Sequence, residues 1–281
     1  MTIMEAIKKG MIELKNANIE TPKLKARLLM QFTLNKPRQY IIVNDLNELT
    51  VKEENQYFSA IKKMRQGVPL EHITHQREFM KLNFFVNENV LIPRQDTEIL
   101  VEEVINIAKK TNAKTILDLC TGSGAIAVSL AKYLPNTEIT AVDISQEALK
   151  VAKKNAISNE VENQITFISS DLFTNLENQK FDIIVSNPPY IKEGVMKELD
   201  KEVKMEPELA LNGGKDGLYF YRKIVSNAYQ YLKYKGYLCW EIGFDQKLDV
   251  IELIENEEKF ENTYSKKDLY NNDRIIVTRL I

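Results

Sequence analysis

Residues 114–127, KTILDLCTGSGAIA, lead an apolar strand into a glycine turn and out again into a helix, and no other stretch restricts the fold as much. Gly122 and Gly124 carry no Cβ, so backbone and ligand can approach closely across the turn. The rest of the chain repeats the alternation. EITAVD (138–143) is followed by a helix after Ser145, then ITFISS (165–170), FDIIVS (181–186), a helix from about Leu218, GYLCWEIG (236–243), another helix and RIIVTRLI (274–281). Strands alternating with helices predict an α/β fold, a doubly wound, mainly parallel, Rossmann-like sheet.

The first 70 residues lack strand signals. Their apolar residues recur at helical spacing, Ile3, Ile7, Met11 and Leu14, then Leu24, Leu28 and Phe32. Thr21 before Pro22 reads as an N-cap with proline at the first helical position. At 281 residues the chain suits two domains. The reading divides it into a helical N-terminal domain over 1–75, a β-hairpin linker over 76–92 with its turn at Asn87-Glu88-Asn89, and an α/β domain over 93–281.

A net charge of −2 argues against generic nucleic-acid binding. It conceals an asymmetry, because residues 1–75 hold twelve basic and eight acidic residues, a net of +4, while the remainder is acidic. Cys120 and Cys239 lie far apart with no Cys-x-x-Cys partner, so no disulfide framework or zinc cluster is read, and a reducing cytoplasm is expected. No window approaches the ~20 apolar residues of a membrane span.

What the glycine turn binds is open at this level. Gly122-x-Gly124-x-x-Ala127 satisfies a dinucleotide fingerprint, and Asp143, ending the next strand, can accept both ribose hydroxyls of NAD or of S-adenosylmethionine alike. Asp118, four residues ahead of Gly122, tilts the balance, because a carboxylate there repels a pyrophosphate but can receive the ammonium of a methionine moiety. After the third strand, Asp171 can accept an adenine amino group and Leu172 can cover the ring.

Asn187-Pro188-Pro189-Tyr190 follows the fourth strand. Two prolines fix φ and remove two donors, leaving the Pro188 carbonyl and the Asn187 side chain as a rigid pair of acceptors for a planar NH2 group. Accepting both hydrogens returns electron density to an otherwise delocalised nitrogen, and holding it in line is an orientation effect. Tyr190 offers a face for stacking. A dehydrogenase would have only His72 and His75 for proton transfer, both in the interdomain region.

VLIPRQDTE (90–98), DLCTGSGAIA (118–127), VSNPPY (185–190), EPELAL (206–211) and GGKDGL (213–218) occur in an order that resembles the peptide chain release factor glutamine methyltransferases, the HemK or PrmC family. The resemblance implies a class I S-adenosylmethionine-dependent methyltransferase sheet with a small helical domain and a hairpin linker. It further implies methyl transfer from S-adenosyl-L-methionine to N5 of the glutamine in the Gly-Gly-Gln motif of release factors. On this reading the cofactor loop falls on Cys120, Thr121, Gly122, Ser123 and Gly124, the ribose acid on Asp143, the adenine side on Asp171 and Leu172, and the substrate amide on Asn187 to Tyr190, with Asn187 also touching the cofactor. Arg94 and Glu98 match a family signature, and their spacing fits a pair on one helix face. Asn212 to Gly217 is expected to serve as a lid or loop anchor.

Cys120 stands where the family often has Gly, and Gln95 where it often has Pro. A positive φ at Cys120 would therefore be strained. Alternatives sharing the corner are a ribosomal protein glutamine N5-methyltransferase, a DNA adenine N6-methyltransferase and a non-catalytic cofactor-binding module. The expected protein is a cytoplasmic monomer with release factors as partners, no stable nucleic acid, no membrane association and no metal.

Overall fold

The structure, a computed structural model, describes residues 1–177 and 179–281. Two helices of the N-terminal region start where side chains replace missing backbone partners. Thr2 and Glu5 form a capping box ahead of α1 (Ile3–Asn16), and Thr50 and Glu53 form another ahead of α4 (Val51–Arg65). Between them lie α2 (Pro22–Leu34) and α3 (Arg38–Val43), and α5 (Leu70–Thr74) follows. Thr21 does not cap α2 with its side chain; its backbone is left-handed, at φ 48°, and Pro22 alone supplies the start. The buried stripe of α2 is Ala26, Leu29 and Met30, packed with Leu14, Tyr57, Ile61 and Met64, which leaves Leu24 55% and Phe32 43% exposed. The sequence spacing thus chose a helix correctly and its inner face wrongly: small Ala26 lets α2 sit close to its neighbours, and a count of large apolar residues passes over it. Met1–Gln76 and Asp200–Met205 form one compact unit, Arg77–Leu199 and Glu206–Ile281 the other.

In the second unit, β1 (Arg77–Phe79) and β2 (Leu82–Phe84) form a hairpin. Its turn is Met80-Lys81, at φ 50° and 59°, rather than Asn87-Glu88-Asn89. Two successive positive φ values match the twist of a tight hairpin, here without the usual Asn-Gly. Asn87 instead accepts the Asn89 N–H in a local turn, and Val86 and Val90 pack on Ala148 and Val151.

The main sheet follows: α6 (Thr97–Thr111), β3 (Thr115–Leu119), α7 (Ala125–Tyr133), β4 (Glu138–Asp143), α8 (Gln146–Ser158), β5 (Ile165–Ser169), β6 (Phe181–Ser186), α9 (Tyr219–Ala228), β7 (Leu232–Glu241), α10 (Lys247–Asn256), β8 (Phe260–Lys267) and β9 (Asp273–Leu280). Among the described residues the strand order is β5-β4-β3-β6-β7-β9-β8, with β9 antiparallel to β7 and β8 antiparallel to β9. Helix α6 and edge strand β8 are absent from the sequence reading, and β7 begins at Leu232 rather than Gly236. Strand residues alternate between two cores. Ile116, Ile183 and Val185 meet Leu100, Val104, Ile126 and Leu130 on one face, while Leu117, Leu119 and Ile184 meet Tyr221, Ile224, Val250 and Ile254 on the other.

From β3 the chain winds outward to β4 and β5, then returns to place β6 on the opposite side of β3. Strand order therefore reverses between β3 and β6, where open α/β sheets bind ligands beyond the carboxyl ends. Asp118 to Gly124 leave β3 and Asn187 to Tyr190 leave β6 side by side at that point, Leu119 being paired with Ser186.

Candidate active site

The glycine turn is held by its neighbours on the sheet. Thr121 N–H donates to the Val142 carbonyl at 2.9 Å, and Asn155 of α8 donates to the Ser123 carbonyl at 2.8 Å. Gly122 and Gly124, both at positive φ, serve different ends. A Cβ on Gly122 would enter open space, whereas one on Gly124 would lie 2.9 Å from Ala152 Cβ. Gly122 leaves room for a ligand, and Gly124 lets the turn pack on α8. Cys120 sits at φ 60°, the strained case anticipated for a non-glycine residue, at a cost of about 1–2 kcal/mol. Burial pushes its thiol up, with Asp143 and Asp118 adding to the shift.

Asp143 accepts the Gly122 N–H on Oδ2 at 2.8 Å and the Ser145 N–H on Oδ1 at 2.9 Å. Each carboxylate oxygen keeps a lone pair for one hydroxyl of a ribose. Burial raises its pKa, and those two N–H groups with that of Ile144 oppose the shift. Asp118 is fully buried, and burial pushes it up to about 7, against the Thr121 hydroxyl that donates to Oδ2 at 2.6 Å.

A cavity of about 230 Å³ opens on this edge. Cys120, Gly122, Asp143, Asp171, Leu172, Asn187 and Pro189 line it. Open space over Gly122, the acceptor capacity of Asp143 and a partly apolar wall fit S-adenosylmethionine. Asp118, Thr121, Ser123 and Gly124 shape the turn from behind, without lining the cavity. Asp118 braces Thr121 rather than presenting a face to the cavity. Leu172 is buried at φ 49°, and Asp171 at the rim pairs with Lys223 at 3.4 Å. Tyr219, Phe220 and Lys223 of α9 also line the wall, and no local motif marks them in the sequence, whereas Val90 and Leu91, on the same wall, open the VLIPRQDTE segment.

The Asn187–Tyr190 corner is positioned from remote segments. Asn187 Nδ2 donates to Thr97 Oγ1 at 3.3 Å, Thr97 Oγ1 donates to Glu241 Oε2 at 2.6 Å, and Tyr190 OH donates to Glu241 Oε1 at 3.1 Å. Gln246 Nε2 donates to the Tyr190 carbonyl at 3.0 Å. Burial raises Glu241, with Thr97, Arg274 and Tyr190 opposing the shift. Burial beside Glu241 also raises the Tyr190 phenol, keeping it a donor. Asn212 to Gly217 anchors this corner. Gly213 N–H donates to the Ile191 carbonyl at 2.8 Å, and a Cβ there would lie 2.7 Å from Tyr190 Cα.

Arg94 and Glu98 do not pair with each other. Arg94 precedes α6 and reaches Glu206 at 2.5 Å, while Glu98 accepts the Met80 N–H at 2.7 Å. Glu206 also accepts the Ile92 N–H at 2.9 Å, so the IPRQDTE and EPELAL segments are joined through one buried carboxylate. Helical spacing failed here because Arg94 lies outside the helix. His72 and His75, of α5 and its C-cap, do not line the cavity.

Residues 94–206 match the Methyltransferase small domain, and a methyltransferase from Pyrococcus furiosus shares the fold at TM-score 0.51 and 18% identity, over 71% of this chain and 88% of that one. The sheet and its site are those of a class I S-adenosylmethionine-dependent methyltransferase. Residues 5–74 match the PrmC N-terminal domain. Release factor glutamine methyltransferases of Clostridium acetobutylicum and Clostridium botulinum are 40% and 39% identical, each over 99% of this chain and over 98% and 99% of their own lengths. The chain belongs to the release factor glutamine methyltransferase family.

Proposed function

We propose that this protein methylates the side-chain nitrogen, N5, of the glutamine in the Gly-Gly-Gln motif of peptide chain release factors. The observation that carries this reading is that Asn187 and Pro189 line the same cavity as Gly122 and Asp143. An amide held at the corner therefore shares one cavity with the cofactor. When bound, S-adenosylmethionine would supply an electrophilic methyl group with a neutral thioether as its leaving group, and the substrate amide nitrogen that gains the methyl would give up one proton to water.

The chain's own residues bind and aim. Asn187 Oδ1 and the Pro188 carbonyl accept the two amide hydrogens, which localises the nitrogen lone pair, and the Tyr190 ring stacks on the amide plane. Asp143 receives the ribose hydroxyls, Asp171 the adenine amino group, and Leu172 covers the ring. A neutral corner suffices, since a methylated amide cation is acidic enough to deprotonate unaided.

Residues 1–75 act as the substrate-recognition domain, 76–92 as the linker and 93–281 as the catalytic domain. Exposed Lys23, Arg27, Lys36 and Arg38 surround exposed Leu24 and Phe32 on α2 and its flank, a basic and apolar face suited to a protein partner. Neutralising these four charges should raise KM for release factor without changing kcat, and an unchanged KM would remove that role. The protein works as a cytoplasmic monomer without stably bound nucleic acid. Among the described residues no helix is long and apolar enough to cross a membrane.

The test is methyl transfer from labelled S-adenosylmethionine to release factor, ribosomal subunits and DNA offered separately. Label on release factor alone is expected. Label confined to a ribosomal protein or to DNA would transfer the assignment to the corresponding enzyme.

A further inference from the structure

We propose that Thr97 is a positioning residue that sets which way the Asn187 amide points, under the direction of Glu241. The inference rests on the amide-methylation reading above and names what makes the corner competent for it.

An asparagine side chain presents an acceptor on one side and two donors on the other, and rotation by half a turn exchanges them at little cost in shape. Only one orientation serves methylation of an NH2 group. With Oδ1 outward, Asn187 accepts a substrate hydrogen. With Nδ2 outward, two donors face each other.

Glu241 decides between them. It is 1% exposed at the end of β7, and both of its oxygens receive hydroxyls, Oε2 from Thr97 at 2.6 Å and Oε1 from Tyr190 at 3.1 Å. A carboxylate can only accept, so Thr97 must spend its single proton on Glu241. At 2.6 Å the Thr97–Glu241 contact is a short, well-formed hydroxyl–carboxyl hydrogen bond. Thr97 Oγ1 then faces Asn187 with lone pairs only, at 3.3 Å, and the group that can satisfy it is Nδ2. Asn187 Oδ1 is thereby turned outward. Thr97 is 4% exposed, so water does not compete for its oxygen.

The same carboxylate fixes Tyr190, whose carbonyl is held by Gln246. One buried acid at the end of β7 thus orients both side chains of the corner, through a hydroxyl contributed by the first residue of α6.

The test uses the full chain. Thr97→Val keeps shape and removes the hydroxyl. It should lower kcat for release factor by roughly 10- to 100-fold, the scale of a small misplacement at a reacting group, with cofactor affinity unchanged. Thr97→Ser should recover most of the rate. In an Asn187→Ala background the Thr97→Val change should add less than about twofold, because its route of action is already gone. Should Thr97→Val fail to fold, Thr97→Ala takes its place with the same expectations. A wild-type rate in the valine or alanine variant, no recovery in serine, or an equal loss in the Asn187→Ala background would overturn the role of Thr97. A wild-type protein that leaves release factor unmethylated would instead overturn the reading on which it rests.

Discussion

The glycine turn and the Asn187–Tyr190 corner lie side by side on neighbouring strands yet are built in opposite ways. The turn is held by its own backbone groups, the Thr121 and Gly122 N–H and the Ser123 carbonyl, whose partners are the Val142 carbonyl, the Asp143 carboxylate and the Asn155 amide of the strand and helix that follow. The corner is shaped by side chains from Thr97, Glu241 and Gln246, which lie 90, 51 and 56 positions from the residues they hold. Binding a constant cofactor needs only a local motif, whereas aiming a reactive amide needs torsions fixed from several directions at once.

Removing the corner's acceptor should separate the two regions most sharply. Asn187→Ala is expected to lower kcat about 10²–10³-fold, the scale of a lost transition-state acceptor or donor. Cofactor affinity, measured calorimetrically, should stay within about threefold. Unchanged turnover would remove Asn187 from the reaction. The opposite lesion, Asp143→Ala, should raise the S-adenosylmethionine Kd roughly 10- to 100-fold for each ribose hydroxyl left unpaired, since a hydrogen bond to a charged acid contributes about 1.5–3 kcal/mol, and leave kcat at saturation close to wild type. A loss in kcat alone would erase the division of labour.

Gly213→Ala probes the corner's support. Its Cβ would stand 2.7 Å from Tyr190 Cα, and the displacement should cost about 1–3 kcal/mol in thermal unfolding and lower kcat more than cofactor affinity. Wild-type stability and rate would show that the anchor is dispensable.

The effect on stability alone, with none expected on the chemistry, concerns Asp118 behind the turn. Its folded pKa lies near 7 against an ordinary 3.8, because burial disfavours the charge. Between about pH 4 and 7 the folded chain holds a proton that the unfolded chain has lost, so stability falls as pH rises through that window, and the penalty is complete above it. Asp118→Asn keeps an acceptor for Thr121 and removes the titration. It should raise the Tm by several degrees at pH 8 and by less at pH 5, and a shift independent of pH would contradict the buried-acid account.

What could be read from sequence follows the same division. The β4 and β6 ranges, the glycine turn, Asp143 and the Asn-Pro-Pro-Tyr tetrapeptide were legible because period and motif act within a few residues. Strand β8 was missed because FENTYSKK is a polar edge strand, defined by pairing with β9 rather than by its own pattern. The hairpin turn was misplaced because Met80-Lys81 has none of the usual turn residues, while Asn87 and Asn89 do. Thr97 and Glu241 stood in quoted segments without a role, since the contact that gives them one joins residues 144 positions apart. Arg94 and Glu98, read as a local pair, each found a distant partner for the same reason.

Methylation mapped by tandem mass spectrometry on full-length release factor, after incubation with enzyme and S-adenosylmethionine, reaches the central claim most directly. One methyl group on the side-chain nitrogen of the Gly-Gly-Gln glutamine is predicted, present with the wild-type enzyme and lost with Asn187→Ala. A methyl group on another residue, or one that persists in the Asn187→Ala reaction, would contradict it.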